Sequence, residues 1–230
     1  MSDLLNSLLR EARLWQGHRQ HAISHSPEPT GFPMLDGQLG GLGWPRGALS
    51  ECLLEAAGIG ELQLVLPLVR RLTHTQRTVF WVNPPFIPYA PALAREGVNL
   101  DQLVVIETES PQDTLWTLEN CLRSPVTGLV MAWPERLASR DIRRLQLAAE
   151  AGQSTCILFR HRHEANQSSP AALRLELVPG SDLSIQVNIL KRRGGWPGQN
   201  CILPMETRAG QAGGDPSARI LQGPWPDPRS

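Results

Sequence analysis

Residues Glu55-Ala56-Ala57-Gly58-Ile59-Gly60-Glu61-Leu62 lie between a short apolar run and an amphipathic segment, where a phosphate-binding loop would sit. A working loop reads G-x-x-x-x-G-K-[S/T]: backbone N–H groups surround the phosphates, the lysine neutralises them and the hydroxyl holds Mg²⁺. Here Glu55 stands at the first glycine, Glu61 at the lysine and Leu62 at the hydroxyl residue, while Gly58 and Gly60 remain. A carboxylate at about 4 Å from a phosphate charge is repulsive by roughly 1–4 kcal/mol, depending on the effective dielectric. Leu62 has no oxygen for a hard cation. Glu61 is instead suited to a helix N-terminus, where a carboxylate gains about 0.3–1 kcal/mol from the dipole. The loop therefore predicts no catalytic residue and no cofactor.

Two other sets could bear on function. Arg140, Arg143 and Arg144, with Arg136 nearby, fall within one helical arc away from Ile142, Leu145 and Ala149. They read either as a solvated face or as a patch for DNA or an acidic partner. His161 and His163 have chelating spacing on an extended segment, but no third ligand accompanies them, so no metal site is predicted.

These residues need a scaffold, and the apolar pattern describes one. Short apolar runs at 49–54, 78–82, 103–107, 127–133 and 154–159 predict strands. Between them, 61–72, 111–123 and 139–151 carry apolar stripes at helical spacing. Strands alternating with helices of this length imply a parallel sheet covered on both faces. Farther on, Leu173, Leu175 and Leu177 alternate with charged residues. Leu183, Ile185, Val187 and Ile189 alternate with polar ones across Pro179-Gly180-Ser181-Asp182, which predicts an antiparallel hairpin at the sheet's edge.

The ends differ from this core. Leu4, Leu5, Leu8, Leu9, Ala12 and Trp15 predict an amphipathic helix over 3–16, followed by a linker with few apolar groups. Residues 206–230, rich in Gly, Pro and Arg, read as a disordered tail. The expected organisation is 1–29 as helical arm and linker, 30–205 as the domain and 206–230 as the tail. The 230 residues carry 22 Lys+Arg and 22 Asp+Glu, so no global basic field points to nucleic acid. No run has the roughly 18 apolar residues of a membrane span. The four scattered cysteines show no CxxC spacing, and Cys52, Cys121 and Cys156 lie in apolar runs as thiols of a reducing compartment. A cytoplasmic protein with no membrane partner is expected.

The stretch Thr30-Gly-Phe-Pro-Met-Leu-Asp36, then Gly40-Gly-Leu-Gly-Trp-Pro-Arg-Gly47 and the altered loop, resembles the start of a RecA-type core. The likeness runs through Leu93–Leu103 to the hairpin, over about 30–195. Gly43-Trp-Pro-Arg-Gly-Ala-Leu-Ser-Glu51, Gly58–Leu62 and Pro84-Pro-Phe-Ile-Pro-Tyr-Ala-Pro91 resemble the ImuA/SulA family, ImuA most closely. A RecA-like mostly parallel sheet with helices on both faces, a C-terminal antiparallel hairpin and an N-terminal helical arm is what this resemblance implies. It puts the water-polarising glutamate at Pro85 and the acidic residue ending the fourth strand at Trp133, so the ATP site is lost as a unit. Lys191 and Arg193 match two basic hairpin residues that reach a neighbouring subunit's ATP in RecA filaments. Leu4, Leu5, Leu8 and Trp15 match a helix face that packs on a neighbour. The ImuA likeness implies a non-catalytic adaptor of SOS-induced translesion synthesis, with RecA, ImuB and the error-prone polymerase as partners and at most a weak DNA contact. The SulA alternative implies a cell-division inhibitor that binds FtsZ. An ATPase with an unusual loop is a third reading.

Overall fold

In β4 (Thr127–Ala132), Leu129 and Met131 turn to one side of the strand and Val130 and Ala132 to the other, and all four are fully buried. A strand with this pattern needs cover on both faces. The computed structural model describes residues 27–41, 43–194 and 200–205, and it supplies that cover as a mixed α/β fold. The other strands are β1 (Ala48–Leu54), β2 (Thr78–Val82), β3 (Leu103–Ile106), β5 (Thr155–His161), β6 (Leu173–Pro179), β7 (Ser184–Arg192) and β8 (Asn200–Pro204). They form one sheet in the order β3-β2-β4-β5-β1-β6-β7-β8. Pairing is parallel from β3 through β6 and antiparallel across β6–β7 and β7–β8.

One face packs on α2 (Glu61–His74), whose Leu64, Val65, Leu68 and Val69 meet Cys52, Leu129, Met131 and Ile157 in one cluster. The other is covered by α4 (Pro111–Arg123) and α5 (Ser139–Gly152), whose Leu118, Leu122, Ile142 and Leu145 meet Leu49, Val130 and Cys156. The caps are local. Ser110 Oγ accepts the Asp113 amide at the start of α4, and the Asp141 carboxylate accepts the Ala138 amide at the start of α5. The Thr30–Asp36 motif folds on itself before β1. The Thr30 amide donates to Asp36 Oδ1 at 2.9 Å, Leu35 is fully buried and Gly31, at φ +90, lies against Pro67 of α2.

The strands predicted at 49–54, 78–82, 103–107, 127–133 and 154–159 and the helices predicted at 61–72, 111–123 and 139–151 match these bounds closely, whereas the helix expected over 3–16 lies outside the described residues. The hairpin is antiparallel as expected, but it is not the edge of the sheet: β8 pairs outside β7, with Cys201 and Leu203 turned inward. A five-residue strand beside a Gly- and Pro-rich segment carries too few alternations to announce itself. Two six-residue helices, α1 (Pro33–Gln38) and α3 (Ala90–Arg95), were too short to predict for the same reason. Glu28 joins the core through backbone hydrogen bonds to Trp44 and an ion pair with Arg71. Among the described residues, no helix is long and apolar enough to cross a membrane.

Candidate functional site

β1 ends at Leu54, and the chain turns through Gly58 (φ +93) and Gly60 (φ +99) into α2. Both backbones are left-handed, so the glycines are what let the strand-to-helix corner close. Glu61 then folds back. The residue is 3% exposed, and its carboxylate accepts the Gly58 N–H at 2.8 Å through Oε1 and 3.1 Å through Oε2. The position of the missing lysine thus carries an internal anion bonded to the loop amide, at a helix N-terminus that favours negative charge. Leu62 is 37% exposed. Glu55, at the first glycine position, is exposed; it pairs with Arg162 at 3.2 Å and approaches His161 at 3.9 Å.

Above the loop, Trp133 stacks on Phe159 with ring centroids 4.7 Å apart and meets Trp81 edge-on at 6.1 Å. Trp133 directly follows β4, at the position where the RecA resemblance implied an acidic residue. What remains is a cleft of about 160 Å³, lined by Leu54, Ala57, Trp133, Phe159 and His161 among others. Ligand pockets usually span roughly 300–1,000 Å³, so the cleft is small for a nucleotide. Pro85 lies in an exposed loop beyond β2.

Beneath the cleft is an ionic cluster that sequence reasoning missed. Glu51, in the middle of β1, is fully buried. Arg160 of β5 donates to its Oε1 and Arg174 of β6 to its Oε2, each at 2.6 Å. Arg160 also donates to the Leu137 carbonyl and pairs with Glu164 at 3.2 Å. Arg174 reaches the carbonyls of Glu164 and Gln167. Two cations and two carboxylates balance, and the guanidiniums tie the loops after β4 and β5 to the sheet. The signal available was a charged residue inside each of three apolar strand runs. Burial pushes the neighbouring Cys52 thiol well above its ordinary range, and Glu51 and Glu61 push it further, so it is no nucleophile.

The remaining predicted residues are scattered. Lys191 donates to the Ser169 carbonyl at 2.6 Å, and burial and then Arg174 lower its pKa. Arg193 is more exposed and lies 3.7 Å from Glu150. On α5, Arg140 is 89% exposed beside Asp141 and Arg143 is exposed, but Arg144 pairs with Glu119 of α4, which also holds Arg123. That arc is partly neutralised. A broad depression of about 600 Å³, lined by Gln112, Asp113, Leu115, Trp116 and Arg144, lies there, away from the loop. His161 and His163 bring Nδ1 atoms within 2.6 Å, yet no set of three metal-binding groups forms among the described residues. Leu4, Leu5, Leu8 and Trp15 lie outside the described residues, as does the tail beyond 205.

A family model described as cell division inhibitor SulA matches residues 47–156. The chain is 28% identical over 116 residues to the cell division inhibitor SulA of Photorhabdus laumondii, covering 50% of this chain and 66% of that protein. It is 26% identical over 161 residues to that of Serratia proteamaculans, covering 69% of this chain and 90% of that protein. A crystal structure of SulA from Pseudomonas aeruginosa superposes with a TM-score of 0.42 at 25% identity, covering 49% of this chain and 97% of the other. The resemblance thus holds at the level of the ImuA/SulA group. These relatives are named as division inhibitors, which overturns the translesion-synthesis adaptor expected from the ImuA likeness. RecA, ImuB and the polymerase find no support as partners.

Proposed function

We propose that this chain is a non-enzymatic inhibitor of cell division that acts by binding the tubulin-like protein FtsZ in the cytoplasm. The observation that carries this reading is the match of residues 47–156 to proteins named for that inhibition. The geometry is consistent with it. A loop bonded to its own carboxylate, a lysine position that is acidic and a cleft filled by Trp133 and Phe159 leave little for nucleotide chemistry to use. The sheet then serves as a rigid platform for a protein interface. In this reading residues 30–205 form the inhibitory domain, with 1–29 and 206–230 as its appendages.

The test is expression in a rod-shaped bacterium together with an affinity column carrying the purified chain. The proposal expects cells to grow into filaments without division, and the column to retain purified FtsZ. Normal division at high expression, with FtsZ in the flow-through, would contradict it.

A further inference from the structure

We infer that the proline-held loop after β2 is the element with which this chain grips its partner: Phe86, Ile87 and Tyr89 enter an apolar pocket of the division protein whose rim is basic. This rests on the function proposed above and adds the surface that carries it.

Phe86 is 68% exposed, Ile87 90% and Tyr89 67%, three large apolar side chains within four residues. Their cost in water is the mark of an interaction site rather than of a lone surface residue. Pro84, Pro85, Pro88 and Pro91 fix φ along the segment, so little chain freedom is left to lose on binding. The root is also fixed. Asn83 sits at φ 51, a conformation asparagine tolerates, and its side chain bonds Thr108 twice: Nδ2 donates to Thr108 Oγ1 and Oδ1 accepts the Thr108 amide, both at 2.8 Å. The exposed side chains owe little to the core, since α3 beyond them contains no fully buried residue and packs on the core cluster through Leu93 alone.

Charge selects the occupant. Residues 83–94 contain no charged side chain. Glu107 and Glu109 flank the anchored Thr108, are exposed, and form no ion pair among the described residues. An apolar knob beside unpaired carboxylates complements an apolar pocket edged with Lys or Arg. A second copy of this chain fits poorly, because a symmetric contact would set these acids against themselves. The loop and its acidic neighbours lie inside 47–156, the span shared with the division inhibitors, whereas Lys191 and Arg193 lie outside it.

The experiment measures Kd between the purified full chain and purified FtsZ. Phe86→Ser with Ile87→Ser is expected to weaken binding about 30-fold or more, as loss of buried anchors does, with unchanged circular dichroism and melting temperature. Glu107→Lys with Glu109→Lys is expected to weaken it about tenfold and to lessen its salt dependence. Trp116→Ser, on the exposed α4 surface, serves as control and stays within threefold. Binding by wild type that the Phe86/Ile87 variant retains within threefold overturns the loop's role and leaves the proposed function standing. Wild-type dimers in sedimentation that this variant dissolves assign the loop to a second copy, and so overturn it too. Failure of wild type to bind FtsZ at all ends the proposed function and this inference with it.

Discussion

The Glu61 carboxylate receives the Gly58 amide hydrogen through both of its oxygens, at 2.8 and 3.1 Å. The same amide, in a phosphate-binding loop, would turn toward a ligand. Here a residue three positions along satisfies it, and the corner is complete without one.

Removing that acceptor should cost stability. Glu61→Ala leaves a Gly58 N–H in a part-buried turn with no partner and takes the anion from the α2 N-terminus. A loss of about 1–3 kcal/mol is expected from urea unfolding. Glu55→Gly with Glu61→Lys and Leu62→Thr restores the phosphate-loop letters but not an acid at Pro85 or Trp133. ATP turnover by this variant is expected to stay at the buffer rate in a phosphate-release assay.

Glu51 is the most demanding position in the sheet. Glu51→Ala leaves Arg160 and Arg174 buried without their shared carboxylate, and a loss of about 3–5 kcal/mol is expected. The triple variant Glu51→Leu, Arg160→Met, Arg174→Met should cost far less, because the two uncompensated charges go too. Equilibrium unfolding of the two variants side by side checks the difference.

The contrast between Glu51 and Glu61 shows what the sequence made legible. The core elements were readable because each apolar stripe decides its own strand or helix: Leu64, Val65, Leu68 and Val69 can face only a sheet. Glu61 was readable as an unsuitable phosphate ligand, because a lost lysine is a local fact. That it bends back to Gly58 depends on the left-handed glycine corner. Glu51, Arg160 and Arg174 lie more than a hundred residues apart at the extremes, and only strand order brings β5, β1 and β6 side by side. The family likeness was legible at the level of shared phrases, but the finer choice between adaptor and inhibitor was not, since both share those phrases. The matches over 47–156 moved it to the inhibitor.

Trp133 offers a sharper test of the filled cleft. Its indole Nε1 is buried without a hydrogen-bond partner. Trp133→Phe therefore gives up no bond and keeps a ring on Phe159, so a change under about 1.5 kcal/mol is expected. Trp133→Ala opens a cavity between Trp81 and Phe159 and should cost about 3 kcal/mol. Thermal denaturation of both variants measures this.

Acid sensitivity has an identifiable source on the α4–α5 face. The hydrogen bond from Arg144, aided by Arg123, holds the Glu119 carboxyl below the usual carboxylate range. Its folded-state pKa is lowered, so the stability it contributes is whole above the ordinary carboxylate pKa and is lost as pH falls through the depressed value. Glu119→Gln should flatten the stability–pH curve in that acid window and leave its shape above pH ~6 unchanged. Urea midpoints across the pH range give the comparison.

The central claim is inhibition without nucleotide chemistry, and FtsZ polymerisation tests it most directly. Purified FtsZ is assembled with GTP, with and without the purified chain, in the absence of ATP, and polymer is collected by sedimentation. The account predicts that pelleted polymer falls in proportion to added chain and vanishes near equimolar amounts, with no ATP required. Undiminished polymer at several-fold excess, or inhibition that appears only when ATP is supplied and hydrolysed, would contradict it.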